Sequence, residues 1–419
     1  MKSYIPAVFL ALFVISSACP VGAMEAENEL GISKAYALDI ASKLDKLVKE
    51  NFFDRSIVKD SWKRSYKENH ERIEKCRSLI ELSGVLNSCL KELNTSHCRF
   101  LTINDETYHF LHSLFGSFRA DYEKRKDLTR IYTGFVTGGD GLSANQVRYV
   151  LDGSPAKKAG ISYGDRILKV DGAPYLGYSN FLQKGADSKF TVEFEHIAQE
   201  RKDHRIIVFV PKRLPIYSGY AKATESSARV LKRKGKNIGY IHLWSGGGLC
   251  HEALEEALTS KLAETDALIL DLRDGYGGNS LDDLDRFYRN PQAYPDFVSK
   301  GRDGKEQRFR YYYDKPMVAL INGGARSGKE LLAYSLKKTG RAYLIGERTS
   351  GAVVAGRLFR IDHKTSLYLA IQNVFIGGKR LEGQGVEPDL KLDLDTAGLR
   401  QGKDNQLEAA LERLAGESS

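Results

Sequence analysis

The first part of the chain carries apolar residues at helical spacing. In "AYALDIASKLDKLVKENFF", the residues Leu38, Ala41, Leu44, Leu47 and Val48 fall on one stripe. The segment "SLIELSGVLNSCLKEL" repeats this pattern. Stripes of this kind are typical of helices that pack one face against a core. The sequence therefore predicts an N-terminal helical domain over residues 28–130.

Over residues 131–214 the apolar period shortens to that of β-strands. The segments "YTGFV", "NQVRYVL", "DRILKVDG", "KFTVEFEHI" and "HRIIVFVP" alternate apolar and polar residues or are rich in β-branched ones. Between them, "SPAKKAG" is typical of a short helix, and the "DG" at residues 171–172 predicts a hairpin turn. The pattern indicates a small β-rich unit.

Residues 215–395 alternate between strand and helix patterns. The strands are "NIGYIHL", "ALILDLR", "KPMVALIN" and "AYLIG", and the helices are "LCHEALEEALTSKLAET" and the segment from Gly328 to Thr339. Alternation of this kind predicts a layered α/β core with buried parallel strands. In residues 396–419, "NQLEAALERLAG" predicts a final amphipathic helix.

Length and charge narrow the function classes. The 419 residues are enough for two or three domains, and the net charge of +9 is spread along the chain. There is no arginine–aromatic array or zinc-finger spacing, so a basic solvated surface is favoured over a nucleic-acid site. The histidines show no HExxH-type spacing, and we expect neither a metal nor another cofactor.

The N-terminus predicts export. Lys2 precedes an apolar stretch from Tyr4 to Ile15, and small residues up to Ala23 resemble a cleavage site. This interpretation makes residues 1–23 a signal peptide and places the mature protein in the periplasm or outside the cell. Acylation at Cys19, with peripheral attachment to the cell envelope, is the weaker alternative.

Four cysteines remain after the predicted cleavage. In an oxidising compartment, Cys76 and Cys89 are spaced to close a short disulfide loop. The alternative is that all four are small buried apolar residues. The sequence leaves both possibilities open.

The segment "GGARSGKE", residues 323–330, comes one residue short of a phosphate-binding P-loop. Glu330 stands where a P-loop needs a hydroxyl for magnesium, so a nucleotide site is a poor interpretation. Ser327 instead lies between a buried strand and a helix that opens at Gly328, where it serves either as a nucleophile or as an N-cap. A second turn, "DGYGGN", brings Gly277 and Gly278, so that one of their N–H groups and that of Gly328 form a candidate oxyanion hole.

Together these segments resemble the C-terminal-processing, or tail-specific, family of serine proteases. The resemblance rests on the order of "SPAKKAG…GDRILKVDG", "GYIHL", "LILDLRDGYGGN", "KPMVALINGGARSGKE" and "LEGQGVEPD". It implies a crotonase/ClpP-like α/β core with an inserted PDZ domain at residues 131–214. It also implies substrates with exposed C-terminal tails, bound through a carboxylate loop at Thr133, Gly134 and Phe135.

One departure from this family changes the expected chemistry. Many members place a basic lysine where this chain has Ala352, and Lys329, two residues from Ser327 at a helix start, is a weak substitute. The related tricorn branch uses a histidine steered by a serine and a glutamate. "LNTSHCRF" and "LEGQGVEPD" supply Ser96, His97 and Glu382 in the matching order.

The resemblance to tricorn therefore implies a serine endopeptidase in which His97 is the base for Ser327. Ser96 and Glu382 would orient its imidazole. The alternative is a catalytically inactive PDZ scaffold that binds peptides without cleaving them.

Overall fold

The computed structural model describes residues 31–119, 121–139, 142–182, 184, 188–198, 201–279, 282–288, 297–309 and 312–416. The predicted signal peptide, with Cys19 and Ala23, lies outside the described residues. None of the helices within the described ranges has both the length and the apolar composition needed to cross a bilayer.

The N-terminal region is helical, as its periodicity predicts. Its elements are α1 (Lys34–Asn51), α2 (Arg55–Ile57), α3 (Lys63–Glu68), α4 (His70–Lys75), α5 (Leu79–Lys91), β1 (Arg99–Thr102) and α6 (Glu106–Gly116). The Ser33 side chain caps α1 by accepting from the N–H of Tyr36 at 3.1 Å. The buried stripe of α1 differs slightly from the predicted one, because Leu38 and Leu47 lie at its half-buried edges. Its centre is formed by Ala37, Ile40, Ala41, Leu44 and Val48.

The disulfide considered between Cys76 and Cys89 is absent, since both residues are buried free thiols. Their sulfur atoms point to different backbone acceptors: Cys76 Sγ lies 3.3 Å from the carbonyl of Arg72, and Cys89 Sγ lies 3.9 Å from that of Ser65. The two cysteines therefore pack as small apolar residues, which was the alternative interpretation.

A β-rich unit follows the helices. It contains β2 (Thr129–Tyr132), β3 (Phe135–Gly139), β4 (Leu142–Val150), α7 (Pro155–Lys158), β5 (Arg166–Val170), β6 (Ala173–Pro174), β7 (Phe190–Ala198), β8 (Arg201–Phe209) and β9 (Lys212–Pro215). The sheet order is β3-β4-β5-β7-β8 with β6 beside β5, while β2 and β9 pair with each other. A separate cluster of buried side chains, including Phe135, Val147, Ile167 and Phe194, fills this unit. Among the described strands, β3 has one neighbour and forms an edge.

The rest of the chain builds a mixed α/β core. Its elements are α8 (Ile216–Ser227), β10 (Arg229–Arg233), β11 (Lys236–His242), α9 (Gly248–Thr259), β12 (Ala267–Asp271), β13 (Phe297–Lys300), β14 (Glu306–Phe309), β15 (Met317–Ile321), α10 (Gly328–Lys338), β16 (Tyr343–Gly346), β17 (Val354–Arg360), β18 (Thr365–Asn373), β19 (Phe375–Ile376), β20 (Lys379–Arg380), β21 (Leu390–Lys391), α11 (Thr396–Arg400) and α12 (Asn405–Gly416). The central sheet has the order β10-β11-β12-β15-β16-β21.

From β11 to β21 the central strands run parallel, as the strand–helix alternation predicts, and only β10 is antiparallel. Strands β12 and β15 are buried at every position, which explains their continuous apolar sequences. Helix α12 packs on the sheet through Ala410, Leu411 and Leu414.

A three-stranded sheet joins the N-terminal region to the core. Strand β18 pairs with both β1 and β17 in antiparallel register, with Phe100 opposite Leu367. Phe100, Leu367 and Leu369 share one buried cluster with helices α1 and α5. The segment that precedes β1, which carries Ser96 and His97, is thereby held against the core.

Candidate active site

Two loops meet at the carboxyl edge of the central sheet. One follows β12 and carries Gly277 and Gly278, and the other follows β15 and carries Ser327. Because β12 and β15 are adjacent and parallel, their carboxyl ends lie side by side, where open α/β sheets commonly hold their ligands. The Asn322 side chain clips the two loops together. It accepts from the N–H groups of Asp274 (3.0 Å) and Gly324 (2.9 Å) and donates to the Asp274 carboxylate (3.1 Å).

Ser327 sits in a strained turn between β15 and α10. Its backbone has φ 57° and ψ −126°, whereas a serine that serves only as a helix cap normally has extended backbone. Non-glycine residues rarely adopt a positive φ, and such outliers cluster at functional sites. A sharp strand-to-helix turn of this kind exposes a nucleophilic hydroxyl above a sheet. Ser327 is also the N-cap of α10 in a capping box with Glu330, so its positive φ is the feature that points beyond a cap.

Gly277 packs directly against Ser327. A β-carbon added at Gly277 would lie 2.5 Å from Ser327 Cβ, 2.9 Å from the carbonyl oxygen of Arg326 and 3.0 Å from Ser327 Oγ. No side chain fits there, so glycine is required by the close approach. The carbonyl of Gly277 accepts from the N–H of Gly246 (2.7 Å) and from Ser245 Oγ (2.9 Å), which fixes the loop beneath the serine.

The predicted oxyanion donors are available for a ligand. Among the described residues, the N–H groups of Gly277, Gly278 and Gly328 have no hydrogen-bond partner. Gly328 is the first residue of α10, so its N–H also lies at the positive end of a helix dipole. Unpaired N–H groups beside a serine are the arrangement that stabilises a developing oxyanion.

The structure brings together the three predicted partners Ser96, His97 and Glu382. Ser96 Oγ lies 2.8 Å from His97 Nδ1 and 2.9 Å from Glu382 Oε2. The Glu382 carboxylate is buried and also accepts from the N–H groups of Ser96 (2.7 Å) and Val353 (2.6 Å). Glutamate, serine and imidazole therefore form one continuous relay.

Hydrogen counting fixes the tautomer of His97 in this relay. The Ser96 hydroxyl has one proton, and it donates that proton to Glu382 Oε2. Ser96 Oγ must then accept from His97, which places the imidazole proton on Nδ1. The lone pair of His97 is consequently on Nε2, the nitrogen that is left for a substrate or a nucleophile.

Several contacts tie this relay to the nucleophile turn. The N–H of Ser327 donates to the carbonyl of Ala352 at 3.0 Å, and the next residue, Val353, donates to Glu382. The Tyr368 ring, whose centroid lies 5.1 Å from that of His97, packs beneath the imidazole. Ser327 and the relay thus share the segment Ala352–Val353 as a common wall.

The environment keeps His97 neutral. Its own backbone is strained, with φ 59°. Burial, together with the positive charge of the neighbouring Arg326, lowers the pKa of His97 to about 4. An imidazole that is unprotonated at neutral pH has the form that a general base requires.

Neither lysine position of the family pattern supplies a base. Ala352 does lie beside Ser327, but it contacts the turn through its carbonyl, and its side chain has no nitrogen. The buried Lys329 side chain turns away to the end of β12, where Nζ donates to the carbonyl of Asp274 at 2.6 Å. Burial lowers the pKa of Lys329 to about 7. Its contacts are those of an anchor for the Gly277 loop.

The sequence analysis missed the role of Glu330, which it treated only as a defect in a P-loop. The fully buried carboxylate accepts from Thr349 Oγ1 (2.5 Å) and from the N–H groups of Gly351 (2.7 Å), Ala352 (2.8 Å) and Ser327 (3.0 Å). The spacing Ser327-x-x-Glu330 is a capping-box signature and was the available signal. Glu330 holds the Ala352 segment against the nucleophile turn.

The predicted peptide-binding residues lie apart from this cluster. Thr133 and Gly134 connect β2 to β3, and Phe135 begins the edge strand β3. The carbonyls of Thr133 and Gly134 accept from the N–H groups of Ala156 and Leu151, so the loop is pinned to the start of α7. Gly134 has φ 83°, and a β-carbon there would collide with Ser154 at 2.2 Å.

Within the described residues, no group of three or more His, Cys, Asp or Glu side chains is arranged to hold a metal ion.

Comparison with known proteins points to one peptidase family. Residues 237–392 match the description of Peptidase family S41. The chain is 26% identical over 389 residues to a tricorn protease homolog of Saccharolobus solfataricus, which covers 88% of this chain but 33% of that protein. It is 27% identical over 286 residues to a carboxyl-terminal-processing protease of Synechocystis sp., covering 64% of both chains.

A solved structure agrees with these relatives. The crystal structure of the tricorn protease superposes with a TM-score of 0.54 at 21% identity, covering 91% of this chain and 37% of that chain. This likeness concerns the fold. The chain spans about a third of the length of the tricorn-type proteins that it matches. Residues 237–392 are thus similar to Peptidase family S41, and the chain as a whole is similar to proteins named as tricorn and carboxyl-terminal-processing proteases.

Proposed function

We propose that this protein is a serine endopeptidase that cleaves protein tails by acyl transfer at Ser327. The observation that carries the proposal is the Glu382–Ser96–His97 relay, which meets the Ser327 turn at the segment Ala352–Val353. The relatedness to serine-type proteases supports the same chemistry. An inactive scaffold would have no need for this relay or for a strained serine beside unpaired N–H groups.

The reaction follows from these groups. His97 Nε2 takes the Ser327 hydroxyl proton as Oγ attacks the peptide carbonyl, and the carbonyl π electrons move to its oxygen. The N–H groups of Gly328 and of Gly277 or Gly278 stabilise this oxyanion. As it collapses, the C–N bond breaks and the imidazolium gives its proton to the leaving amine. Water then repeats the sequence on the acyl ester and frees Ser327.

Glu382 and Ser96 act through His97. The Glu382 carboxylate stabilises the imidazolium that forms during each step. Ser96 links the two groups, because its hydroxyl donates to Glu382 and accepts from His97 Nδ1. Because the relay bonds the imidazole through Nδ1 only, Nε2 is left to exchange a proton with Ser327. Both are positioning residues.

The β-rich unit, residues 131–214, is proposed to act as a PDZ domain. An extended peptide can add to the free edge of β3, and its terminal carboxylate would lie in the loop of Thr133, Gly134 and Phe135. The separate buried cluster of this unit and the edge position of β3 among the described strands support that role. The other proposed domains are the helical region (residues 28–130), the protease core (215–395) and the C-terminal helix (396–419).

The sequence of residues 1–23 supports export as part of this proposal. The protein would then act on unstructured tails in the periplasm or outside the cell. Detection of a mature chain that starts near Met24 in the envelope fraction would test this point, and a cytoplasmic chain with an intact N-terminus would refute it.

The central experiment uses a fluorophosphonate probe and a denatured protein substrate. We expect the wild type to be labelled at Ser327 and to cleave the substrate, while Ser327→Ala loses both activities. His97→Ala should lose at least about 10²-fold in cleavage rate, the usual contribution of a general base. Ser260→Ala and His70→Ala, at exposed positions, are the matched controls. Wild-type cleavage by Ser327→Ala would refute the proposal, and absence of labelling across pH 4–9 would favour the scaffold.

A second experiment addresses tail binding. Peptides that differ only in a free or an amidated C-terminus should differ in KM, with the free carboxylate preferred by about tenfold, the order of magnitude of one charged hydrogen-bonded contact. Equal KM values would remove the carboxylate loop from the proposal while leaving the chemistry at Ser327 intact.

A further inference from the structure

An unpartnered carboxylate lies close to the candidate active site. Glu106 is the first residue of α6, and its carboxylate makes no hydrogen bond or ion pair with any described residue. Its neighbour Asp105, in contrast, accepts from Thr102 and pairs with Arg99 at 3.3 Å. The Glu106 side chain is half-buried, and its surroundings raise the pKa to about 8 through burial alone. None of the described residues places a cation against this half-buried carboxylate, and we call its surroundings the recess.

Six tyrosine hydroxyls lie close enough to Glu106 for its charge to raise their pKa, in addition to burial, which is the main cause. They belong to Tyr132, Tyr149, Tyr175, Tyr178, Tyr220 and Tyr276. On the same helix, His109 donates to the carbonyl of Ile103 at 2.7 Å, and burial lowers its pKa to about 3. His109 is therefore neutral and does not balance Glu106.

One side of the recess touches the nucleophile loops. Thr107 Oγ1, on the residue after Glu106, lies 2.9 Å from the hydroxyl of Tyr276. The Tyr276 ring also stacks on Phe110 of α6, with centroids 3.8 Å apart. Tyr276 immediately precedes Gly277, which abuts Ser327. The start of α6 is therefore attached to the loop that supplies the proposed oxyanion donors.

The opposite side of the recess touches the β-rich unit. The Tyr175 hydroxyl lies 3.2 Å from Oγ1 of Thr137, which belongs to the edge strand β3. The Tyr178 ring lies 5.3 Å from that of His109 and joins the same unit to α6. The first turn of α6, which carries Glu106, therefore contacts both the Gly277 loop and the β-rich unit.

We infer that Glu106 is a specificity-determining residue that binds a lysine or arginine side chain of the substrate on the C-terminal side of the scissile bond. This inference rests on the proposed function, since the direction of the tail follows from its capture by the β-rich unit. A long cationic side chain beside Glu106 would favour the ionised form of its carboxylate, and tyrosine faces attract cations. Its aliphatic stem would pack along the phenol rings.

Quenched fluorescent peptides test this directly. One lysine is moved through the four positions after the scissile bond, and each peptide is compared with its norleucine and glutamate counterparts. For the wild type we expect kcat/KM to be about 10–100-fold higher for lysine at one position, as for a charge pair formed in a recess. This measurement needs no variant, so it stands even if substitutions at Glu106 affect folding.

Variants then assign the preference. Glu106→Gln should reduce the lysine-to-norleucine ratio to within about threefold of unity, and Glu106→Asp should retain part of the preference because it keeps the charge. Glu68→Gln, which removes an exposed carboxylate from α3, should leave the ratio unchanged. A wild type without a preferred lysine position, or a Glu106→Gln enzyme with the full ratio, would overturn the inference. Loss of all peptide cleavage together with absent labelling of Ser327 would instead overturn the proposed function.

Discussion

Three hydrogen bonds converge on the Glu382 carboxylate, and they make this position sensitive to replacement of one carboxylate oxygen by an NH2 group. Oε1 accepts from the N–H of Ser96, and Oε2 accepts from both Ser96 Oγ and the N–H of Val353. A carboxylate suits all three donors, whereas an amide must turn its NH2 group toward one of them. Single residues in this relay are therefore sensitive to chemically small substitutions.

Glu382→Gln is expected to lower kcat by about 10²-fold while the protein remains folded. The amide cannot stabilise the imidazolium of His97, and one NH2 group faces an N–H donor. Steady-state kinetics with a circular dichroism check would measure this. Glu387→Gln, at an exposed position, is the control. An unchanged kcat would mean that the relay does not assist the reaction.

A second residue-scale prediction concerns pH. Because the pKa of His97 is lowered to about 4, the base stays unprotonated down to that pH, and the acid limb of kcat/KM should lie near pH 4 instead of 6.5. Arg326→Gln removes a positive charge that lowers this pKa, so the limb should move to higher pH. Arg64→Gln, on an exposed part of α3, should not move it. A wild-type limb near pH 6.5, or no movement in Arg326→Gln, would contradict the assignment.

At the scale of elements, the start of α10 depends on a buried side chain from its own first turn. The Glu330 carboxylate accepts from four donors on Ser327, Thr349, Gly351 and Ala352. It joins the helix to the segment that forms one wall of the candidate site. Burial raises the pKa of Glu330, and these hydrogen bonds act against that shift.

Glu330→Ala should reduce the free energy of unfolding by about 3–5 kcal/mol, because four buried donors lose their acceptor. Denaturant titration measures this change, and Glu408→Ala on the exposed side of α12 is the control. A loss below about 1 kcal/mol would show that water replaces the carboxylate.

The Gly277 loop gives a prediction about catalytic activity. In Gly277→Ala, the new methyl group would lie 2.5 Å from Ser327 Cβ, so the nucleophile and its oxyanion donors must separate. We expect kcat to fall by about 10²–10³-fold, as when an oxyanion donor is removed. Gly248→Ala is the matched control, since its added carbon meets nothing within 4 Å. Full activity of Gly277→Ala would exclude this loop from the reaction.

At the scale of the whole molecule, the β-rich unit is tied to the core beside the nucleophile loops. Arg148 of β4 pairs with Asp274 at 3.0 Å, and Asp274 lies in the loop that follows β12. Asp152, just after β4, accepts from the Trp244 indole N–H at 3.0 Å. These contacts attach the proposed tail-binding unit to the same loop that carries Gly277.

A double-mutant cycle on Arg148→Ala and Asp274→Ala should reveal a coupling of about 1–2 kcal/mol in the free energy of unfolding, since the pair is mostly shielded from solvent. Chemical denaturation of the four proteins supplies the cycle. The exposed pair Arg205 and Asp203, 3.5 Å apart within β8, should give a coupling near zero as a control. Strictly additive losses would mean that this pair does not hold the two units together.

The sequence predicted much of the fold and part of the candidate site, for identifiable reasons. Periodicity revealed helices α1 and α5, and continuous apolar runs revealed the parallel strands β12 and β15, because each pattern reflects local burial. Motif order placed Ser96, His97 and Glu382 correctly in one cluster, although their catalytic roles remain predictions.

The remaining features depend on contacts between distant segments, which leave no local period. The Glu330 carboxylate accepts hydrogen bonds from a loop about twenty residues further along the chain. The charge of Glu106 acts on tyrosines from several distant segments. The Cys76–Cys89 possibility failed for a similar reason, since spacing alone does not fix the direction of a side chain. Single-residue roles of this kind become visible only in three dimensions.

The pairing of β1 with β18 has a consequence for biosynthesis. The segment that carries Ser96 and His97 emerges from the ribosome early, but β1, which follows it, can pair only after β18 has been made and has folded back. A half-made polypeptide consequently also lacks the hydrogen bond between Ser96 and Glu382. The proposed proteolytic activity would thus be switched on by completion of the fold itself.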